Sequence, residues 1–421
     1  MKKAIFTLLV VGLLLSLTTC GPATVDPKTF KGTMTMWSFT DEVKKMIDRF
    51  ESVYTGVKVE LTIVPCEEYL NKIRPVLRSG KNAPDVFTAE YAFVIDLVES
   101  GFYADLGQFN PQNLGDLVPY VVGVGTDSKG VLRALSWQTT PGGFFFRRSL
   151  AKKYLGTDDP EQVGEMLSTD AKFMDTARKL NKESGGKVKI IAGYGDFQQY
   201  AWSRRSKPFV ADGKLNIEQP ILDYFDIAKT MRDEHLTAEV GTWSPPWFEN
   251  MNKKEPEIFG YILPTWGLHY VIKPNAKDTM GDWGLCKGPG SYFWGGTWMG
   301  IYKDSQNKAI AWEFVKMFTL DEDTLKWWAK ETGDFLGDAK VVNEIKNDFA
   351  DPLLAGQNHY LFFASEAPKV NGKLLAKYDL DIRNFLMGAI NNYVEGKMTK
   401  DEAITQFKSD VKNAFPDVEV Q

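Results

Sequence analysis

The residues best suited to chemistry in this chain are its tryptophans. Trp202, Trp243, Trp247, Trp266, Trp283, Trp294 and Trp298 crowd a stretch in which glycine and proline are interleaved, so much of it reads as loop. A tryptophan on a helix is ordinarily core, whereas one on a Gly/Pro-rich loop is harder to bury. It offers a flat apolar face and one N–H, a combination that suits stacking under a sugar ring. Catalytic groups are poorly arranged by comparison. His235, His269 and His359 stand apart in sequence, with no H-x-x-x-H spacing and no Cys/His pair, so each is read as an ordinary surface or core residue. There is no G-x-S-x-G elbow, P-loop or EF-hand pattern. Gly193-Tyr194-Gly195-Asp196 and Gly288-Pro289-Gly290 are turn chemistry rather than phosphate cradles. Two carboxylates could still meet in space as in a glycosidase, but no spacing supports that. No catalytic residue, metal or cofactor is expected.

The first twenty residues address the chain. Lys2 and Lys3 precede an apolar run over 4–17 and then Leu17-Thr18-Thr19-Cys20. That is a secretory signal rather than a fold element, and at about 1.5 Å per residue the run is too short to span a bilayer. Cys20 sits where a bacterial lipobox places the residue that is lipidated; Thr19 departs from the small residue usual before it. The expectation is a signal peptide over 1–19 and a lipidated tether over 20–32. Acyl chains on Cys20 would hold the protein on the outer face of a membrane.

The 421 residues carry a formal charge of −5. A nucleic-acid binder would show a basic excess, so that class is excluded. A chain this long exceeds one ordinary core, and two domains are expected. Beyond Cys20 only Cys66 and Cys286 remain, and two free thiols are expected rather than a disulfide.

The elements that must carry the tryptophans follow from periodicity. Residues 33–37 read as a strand, then Thr40 caps a helix with Asp41 and Glu42 in its first turn and Val43, Met46, Ile47 and Phe50 at helical spacing. Residues 57–64 alternate as a second strand. A helix from Glu67 follows, with Pro75 expected to kink or divide it, and a third strand opens at Pro84. This order predicts an α/β fold with a mostly parallel sheet and covering helices. Later, 170–182 and 220–234 read as helices, 188–192 and 298–302 as strands, and 308–318 and 321–330 as helices. Leu380, Phe385, Leu386, Ala389, Ile390 and Tyr393 form one helical stripe. Thr399-Lys400-Asp401-Glu402 is a capping box for the last helix.

Several patterns in order resemble the bacterial extracellular solute-binding proteins, family 1, of ABC importers, the group that includes maltose-binding protein. They are Trp37-Ser38-Phe39 before a helix, Leu77-Arg78-Ser79-Gly80 followed by Pro84-Asp85-Val86-Phe87, and Gly101-Phe102-Tyr103-Ala104-Asp105-Leu106. The most specific is Gly295-Gly296 before an apolar strand, then a helix carrying Ala311-Trp312-Glu313-Phe314, with Thr332-Gly333 beyond. The resemblance covers nearly all of the chain after the leader. Phe146-Arg147-Arg148 and the segment around residue 250 depart from the family pattern and leave the ligand class open.

The resemblance implies a two-lobed periplasmic-binding-protein fold of type II, with a ligand cleft between lobes joined by a hinge. The implied lobes are 33–138 with 288–338, and 139–287 with 339–421, with crossings near 138–140, 286–288 and 335–339. It implies a monomer that captures a carbohydrate and delivers it to membrane permease subunits. The implied ligand residues are Trp37, Ser38, Asp41, Glu90, Tyr91, Trp202, Trp266, Trp294, Gly295, Gly296 and Trp298, with Trp266 at the family's Gly-x-Trp position. Trp312 is expected in the core, and Arg147-Arg148 and Arg204-Arg205 in solvent unless one pair lines the cleft, where it would favour an acidic sugar. Three alternatives stay open: the same fold binding a polyamine, phosphate ester or uronate, a surface glycoside hydrolase or lyase, and an adhesin.

Overall fold

The computed structural model describes residues 29–420. The signal peptide, Cys20 and the tether up to residue 28 lie outside the described residues. Strands fall at β1 (Gly32–Ser38), β2 (Val57–Ile63), β3 (Val86–Glu90), β4 (Leu135–Ser136), β5 (Gly142–Arg147), β6 (Val210–Ala211), β7 (Lys214–Leu215), β8 (Gly260–Pro264), β9 (Trp283–Cys286) and β10 (Thr297–Ile301).

One sheet has the order β2-β1-β3-β10-β4. Its first half is parallel: β1 pairs with β2 from Gly32↔Val57 to Ser38↔Ile63 and with β3 at Met36↔Val86. The helices Val43–Val53 and Cys66–Ser79 return the chain between these strands, which makes them parallel. The other half departs from the parallel expectation. β10 runs antiparallel to both β3 and β4, because it arrives from the second sheet without a crossover helix.

The second sheet, β8-β5-β9, is antiparallel. Its centre reads Gly-Gly-Phe-Phe-Phe-Arg, and alternation sends Phe145 to one face and Phe144 and Phe146 to the other. Both faces are buried. Phe145 joins the core that also underlies the first sheet, while Phe144 and Phe146 join a separate core. That second core is walled by the helices Asp170–Glu183, Gln219–Asp233, Asp379–Val394 and Lys400–Ala414. The Thr399–Glu402 capping box opens the last of these as expected.

Three segments tie the sheets together, side by side. Gly142 N donates to Tyr292 O at 2.8 Å and Trp294 N to Thr140 O at 3.2 Å. Thr139 N donates to Phe335 O at 3.0 Å and Gly337 N to Trp137 O at 2.8 Å. Buried Asp334 anchors this bundle by accepting the indole N–H groups of Trp137 (3.1 Å) and Trp328 (3.2 Å).

Local departures have physical reasons. The first helix starts at Val43, not Thr40, and Asp41 and Glu42 precede it with no side-chain cap. Pro75 divides nothing: the helix Cys66–Ser79 runs through it, with Pro75 and Asn71 both on the solvent side where a freed carbonyl meets water. Residues 188–192 make only isolated bridges at Lys189 and Ile191, because their backbone partners alternate between two segments, 236–240 and 257–260. Arg147 is buried rather than solvated, paired with Asp282 at 2.7 Å. Leu380, placed on the apolar stripe, is exposed, and Arg383 is buried in its stead. Cys66 and Cys286 are free thiols. Trp312 is buried as expected.

Trp298 was read as a ligand residue, and the structure corrects this. Its side chain is 0% exposed and its N–H donates to Val121 O at 2.9 Å, so no ring face is left for a ligand. Trp298→Ala is therefore expected to lower unfolding free energy by about 3–5 kcal/mol in urea titration. An effect below about 1 kcal/mol would contradict the core assignment.

Candidate functional site

A cavity of ≈ 290 Å³ opens where β1 and β3 end. Asp41, Glu42 and Glu90 line it from the first sheet, and Trp266 and Tyr270 from the segment after β8. Gly295 and Gly296, at the entry to β10, form its floor. Gly295 has φ +81° and Gly296 φ +110°, the left-handed region that glycine tolerates. A Cβ at Gly295 would stand 2.6 Å from Trp266 Nε1, and one at Gly296 would stand 2.9 Å from the Trp298 ring. Gly295 is thus what lets the Trp266 indole approach the backbone, and Gly296 what admits the Trp298 ring beneath it.

Trp266 is fixed rather than loose. Its N–H donates to Trp294 O at 3.0 Å, and its ring meets Trp294 edge-on with centroids 5.2 Å apart. Trp243 lies nearly parallel to it, at 19° and 6.0 Å. Trp243 is 47% exposed and holds φ +67°, an outlying conformation for a bulky residue and of the kind that collects at working sites. Together these rings make an aromatic wall anchored by its neighbours.

Two carboxyls face this wall. Burial pushes Glu90 up to about 8, partly offset by the Ala92 N–H, which it accepts at 2.7 Å, and by the Arg383 charge. Burial likewise raises Glu42, Asp334 adds repulsion, and a hydrogen bond with Tyr270 opposes both. Glu42 follows β1 and Tyr270 follows β8, so the two sides of the cleft come close here. Asp41 is exposed and pairs with Lys44 at 3.3 Å.

The structure thus brings Asp41, Glu90, Trp266, Gly295 and Gly296 to one cavity. Tyr91 and Trp202 meet in a second, tighter one, around the Arg383 guanidinium. Trp294 supports Trp266 through its carbonyl. Ser38 is fully buried, and its hydroxyl accepts from Thr40 N (3.2 Å) and the Thr88 hydroxyl (3.3 Å), so it shapes the loop rather than facing a ligand. Trp37 is half-buried on β1 and lies outside both cavities' walls.

The ligand set read from the sequence lacks Glu42, Tyr270 and Arg383, and Trp243 stands there only among the loop tryptophans. A signal existed for one: Asp379 and Arg383 form an i,i+4 charged pair on the apolar face of a helix, where charge is costly without a purpose. The histidines also differ from their reading as isolated residues. His269 and His359 face each other at 3.3 Å, and with Asp351 they place possible ligand atoms within 4.8 Å of one another. Lys273 already lies among them, 2.6 Å from Asp351 and 3.3 Å from His269, so its ammonium fills the role of a cation there.

The family model described as bacterial extracellular solute-binding protein matches residues 37–325. YcjN of Escherichia coli (strain K12), named as a candidate ABC transporter periplasmic-binding protein, is 26% identical over 254 residues, 53% of this chain and 56% of that one. The match thus spans little more than half the length of that curated relative. A crystal structure of an extracellular solute-binding protein of family 1 superposes with a TM-score of 0.80 at 17% identity, covering 91% of this chain and 99% of the other. The ABC transporter associated binding protein of B. animalis subsp. lactis Bl-04, solved with β-1,6-galactobiose, gives 0.75 at 19% identity, covering 93% and 100%. At such identities the likeness is one of fold: the α/β periplasmic-binding-protein architecture, with two lobes joined by a hinge.

Raised carboxyls make stability depend on pH in a defined direction. Glu90 prefers its proton in the folded state, so its contribution is complete below the ordinary carboxylate value of about 4.3 and is lost as pH rises through about 8. Glu90→Gln, which stays neutral, should flatten the decline in melting temperature over that window. An identical pH slope in variant and parent would contradict the assignment.

Proposed function

Because the chain belongs to the bacterial extracellular solute-binding protein family, whose members bind solutes rather than transform them, we propose that it captures a sugar, and specifically an oligosaccharide, between its lobes. The observation that carries this reading is Trp266: an indole plane fixed by its own N–H, flanked by Trp243, and set across a cavity from acceptor carboxyls. A pyranose has the matching chemistry, with an apolar face to stack and hydroxyls at its rim to donate. The cavity, at ≈ 290 Å³, lies near the lower end of the roughly 300–1,000 Å³ found for small-molecule sites. The relative solved with β-1,6-galactobiose adds support from a shared fold.

In this proposal the ligand closes the two lobes about the crossing segments, and the closed form engages the permease of an ABC importer. The lobes divide as 33–138 with 288–338 and 139–287 with 339–421. Asp41, Glu90, Trp266, Gly295 and Gly296 would surround the sugar, joined by Glu42, Trp243 and Tyr270. Acyl chains on Cys20 would keep the protein on the outer face of the membrane. Among the described residues no helix is long and apolar enough to cross a membrane.

The test is tryptophan fluorescence and thermal shift of the leaderless protein against a panel of oligosaccharides. A saturable response with the glycan recovered intact is expected. A ring-stacking contact is worth about 1–3 kcal/mol by analogy with base stacking, so Trp266→Ala should weaken binding about tenfold or more. Recovery of cleaved glycan, or a Trp266→Ala titration matching the parent, would refute the proposal.

A further inference from the structure

Beside the main cavity lies a second one of ≈ 20 Å³, walled by Tyr91 and Phe293 on one side and by Trp202, Arg205 and Arg383 on the other. The two linings are neighbours in sequence: Glu90 lines one cavity and Tyr91 the other, and Phe293 precedes the Gly295-Gly296 floor. Both guanidiniums are deep. Arg205 is 3% and Arg383 7% exposed, and Trp202 is 8% exposed. Arg383 is held between two rings, 4.8 Å from the Trp202 centroid and 5.1 Å from that of Tyr91. Arg205 lies over Phe209 at 3.6 Å.

These donors are not used up by the protein. Arg205 Nη1, Arg383 Nε and Trp202 Nε1 are all buried without a hydrogen-bond partner among the described residues. Nor is the charge balanced. Among the described residues Asp379 is the carboxylate that pairs with Arg383, its Oδ2 lying 3.5 Å from Arg383 Nη2 while also accepting from Ala376 N. Glu90 has its carboxyl pushed up to about 8 and is largely neutral near pH 7. Glu218 is committed to the N–H groups of Ser206 and Lys207, and Asp96 pairs with Arg74 at 3.2 Å. Two buried guanidiniums against one carboxylate leave a net positive charge out of water, which is costly unless an anion joins it. Asp379 Oδ1 is also buried without a partner, and it calls for a donor.

The ligand that answers both demands carries a carboxylate and a hydroxyl close together. We propose that Arg383, Arg205 and Trp202 form a carboxylate subsite and that the captured saccharide is acidic, a uronic acid residue placing its carboxylate there and a hydroxyl toward Asp379. The inference rests on the saccharide reading above. A planar guanidinium matches a carboxylate through paired N–H groups, and a space of ≈ 20 Å³ excludes a sugar ring, so a small terminal group is what could reach these donors. The ring belongs in the neighbouring cavity beneath Trp266. A bare inorganic anion would satisfy the donors but leave Asp379 Oδ1 unmet.

Calorimetric titration of the leaderless protein with digalacturonate and with the neutral galactose disaccharide of the same linkage tests this, with sodium sulfate as a third probe. Digalacturonate is expected to bind at least tenfold more tightly than its neutral counterpart. Arg383→Gln should bring it down to the neutral level, and Arg383→Lys, which keeps the charge and guards against misfolding, should keep part of the preference. Neutral binding as tight as acidic binding, unchanged in Arg383→Gln, would overturn the subsite and leave the Trp266 reading standing. Binding of sulfate with no preference for the uronate would replace the acidic saccharide by a general anion site. Failure of both saccharides and of the wider oligosaccharide panel would overturn both readings together.

Discussion

The arrangement depends on one constraint: the two sheets, which share the core on the Phe145 face of the second, are tied by three backbone segments that lie side by side. The pairings of Thr140 with Trp294, Gly142 with Tyr292 and Thr139 with Phe335 fix where the sheets can pivot. Buried Asp334, holding the indoles of Trp137 and Trp328, stiffens the bundle from within. Everything at the cleft is placed relative to this bundle. Gly295 and Gly296 follow it directly, and Tyr91 N donates to Gly296 O at 3.2 Å, which ties the end of β3 to the same point.

The cleft is lined by groups that are costly to bury alone. Glu42 and Glu90 on one side of the cleft, and Arg205, Arg383 and Asp379 on the other, are polar residues in places that apolar side chains could fill more stably. Contacts across the cleft include Glu42 beside Tyr270, Tyr91 with Arg383, Trp266 against Gly295 and Gly372 against Tyr120.

The first half of the fold was legible in the sequence because it is local. The spacing of Val43, Met46, Ile47 and Phe50 and the alternation of β1 each report a buried face that the structure contains. The antiparallel return of β10 was not legible, since it depends on a crossing between sheets. The same division runs through the site. Trp266 stood out because a loop tryptophan lacks an evident core to enter, and Gly295-Gly296 because paired glycines mark close backbone approach. Trp298, two residues on, looked alike but begins a strand and turns inward. Glu42 and Tyr270 acquire meaning only when two segments distant in sequence meet. Arg383 was hidden on a helix whose stripe read as apolar, although its i,i+4 partner Asp379 marked the face.

The central claim is that a saccharide closes the lobes about the crossing segments, and small-angle X-ray scattering with and without a saccharide that saturates the fluorescence response tests it most directly. The account predicts that the bound protein scatters as this structure does, while the free protein has a larger radius of gyration. A radius unchanged at saturation would contradict closure and reduce the crossing segments to a rigid link between two fixed sheets.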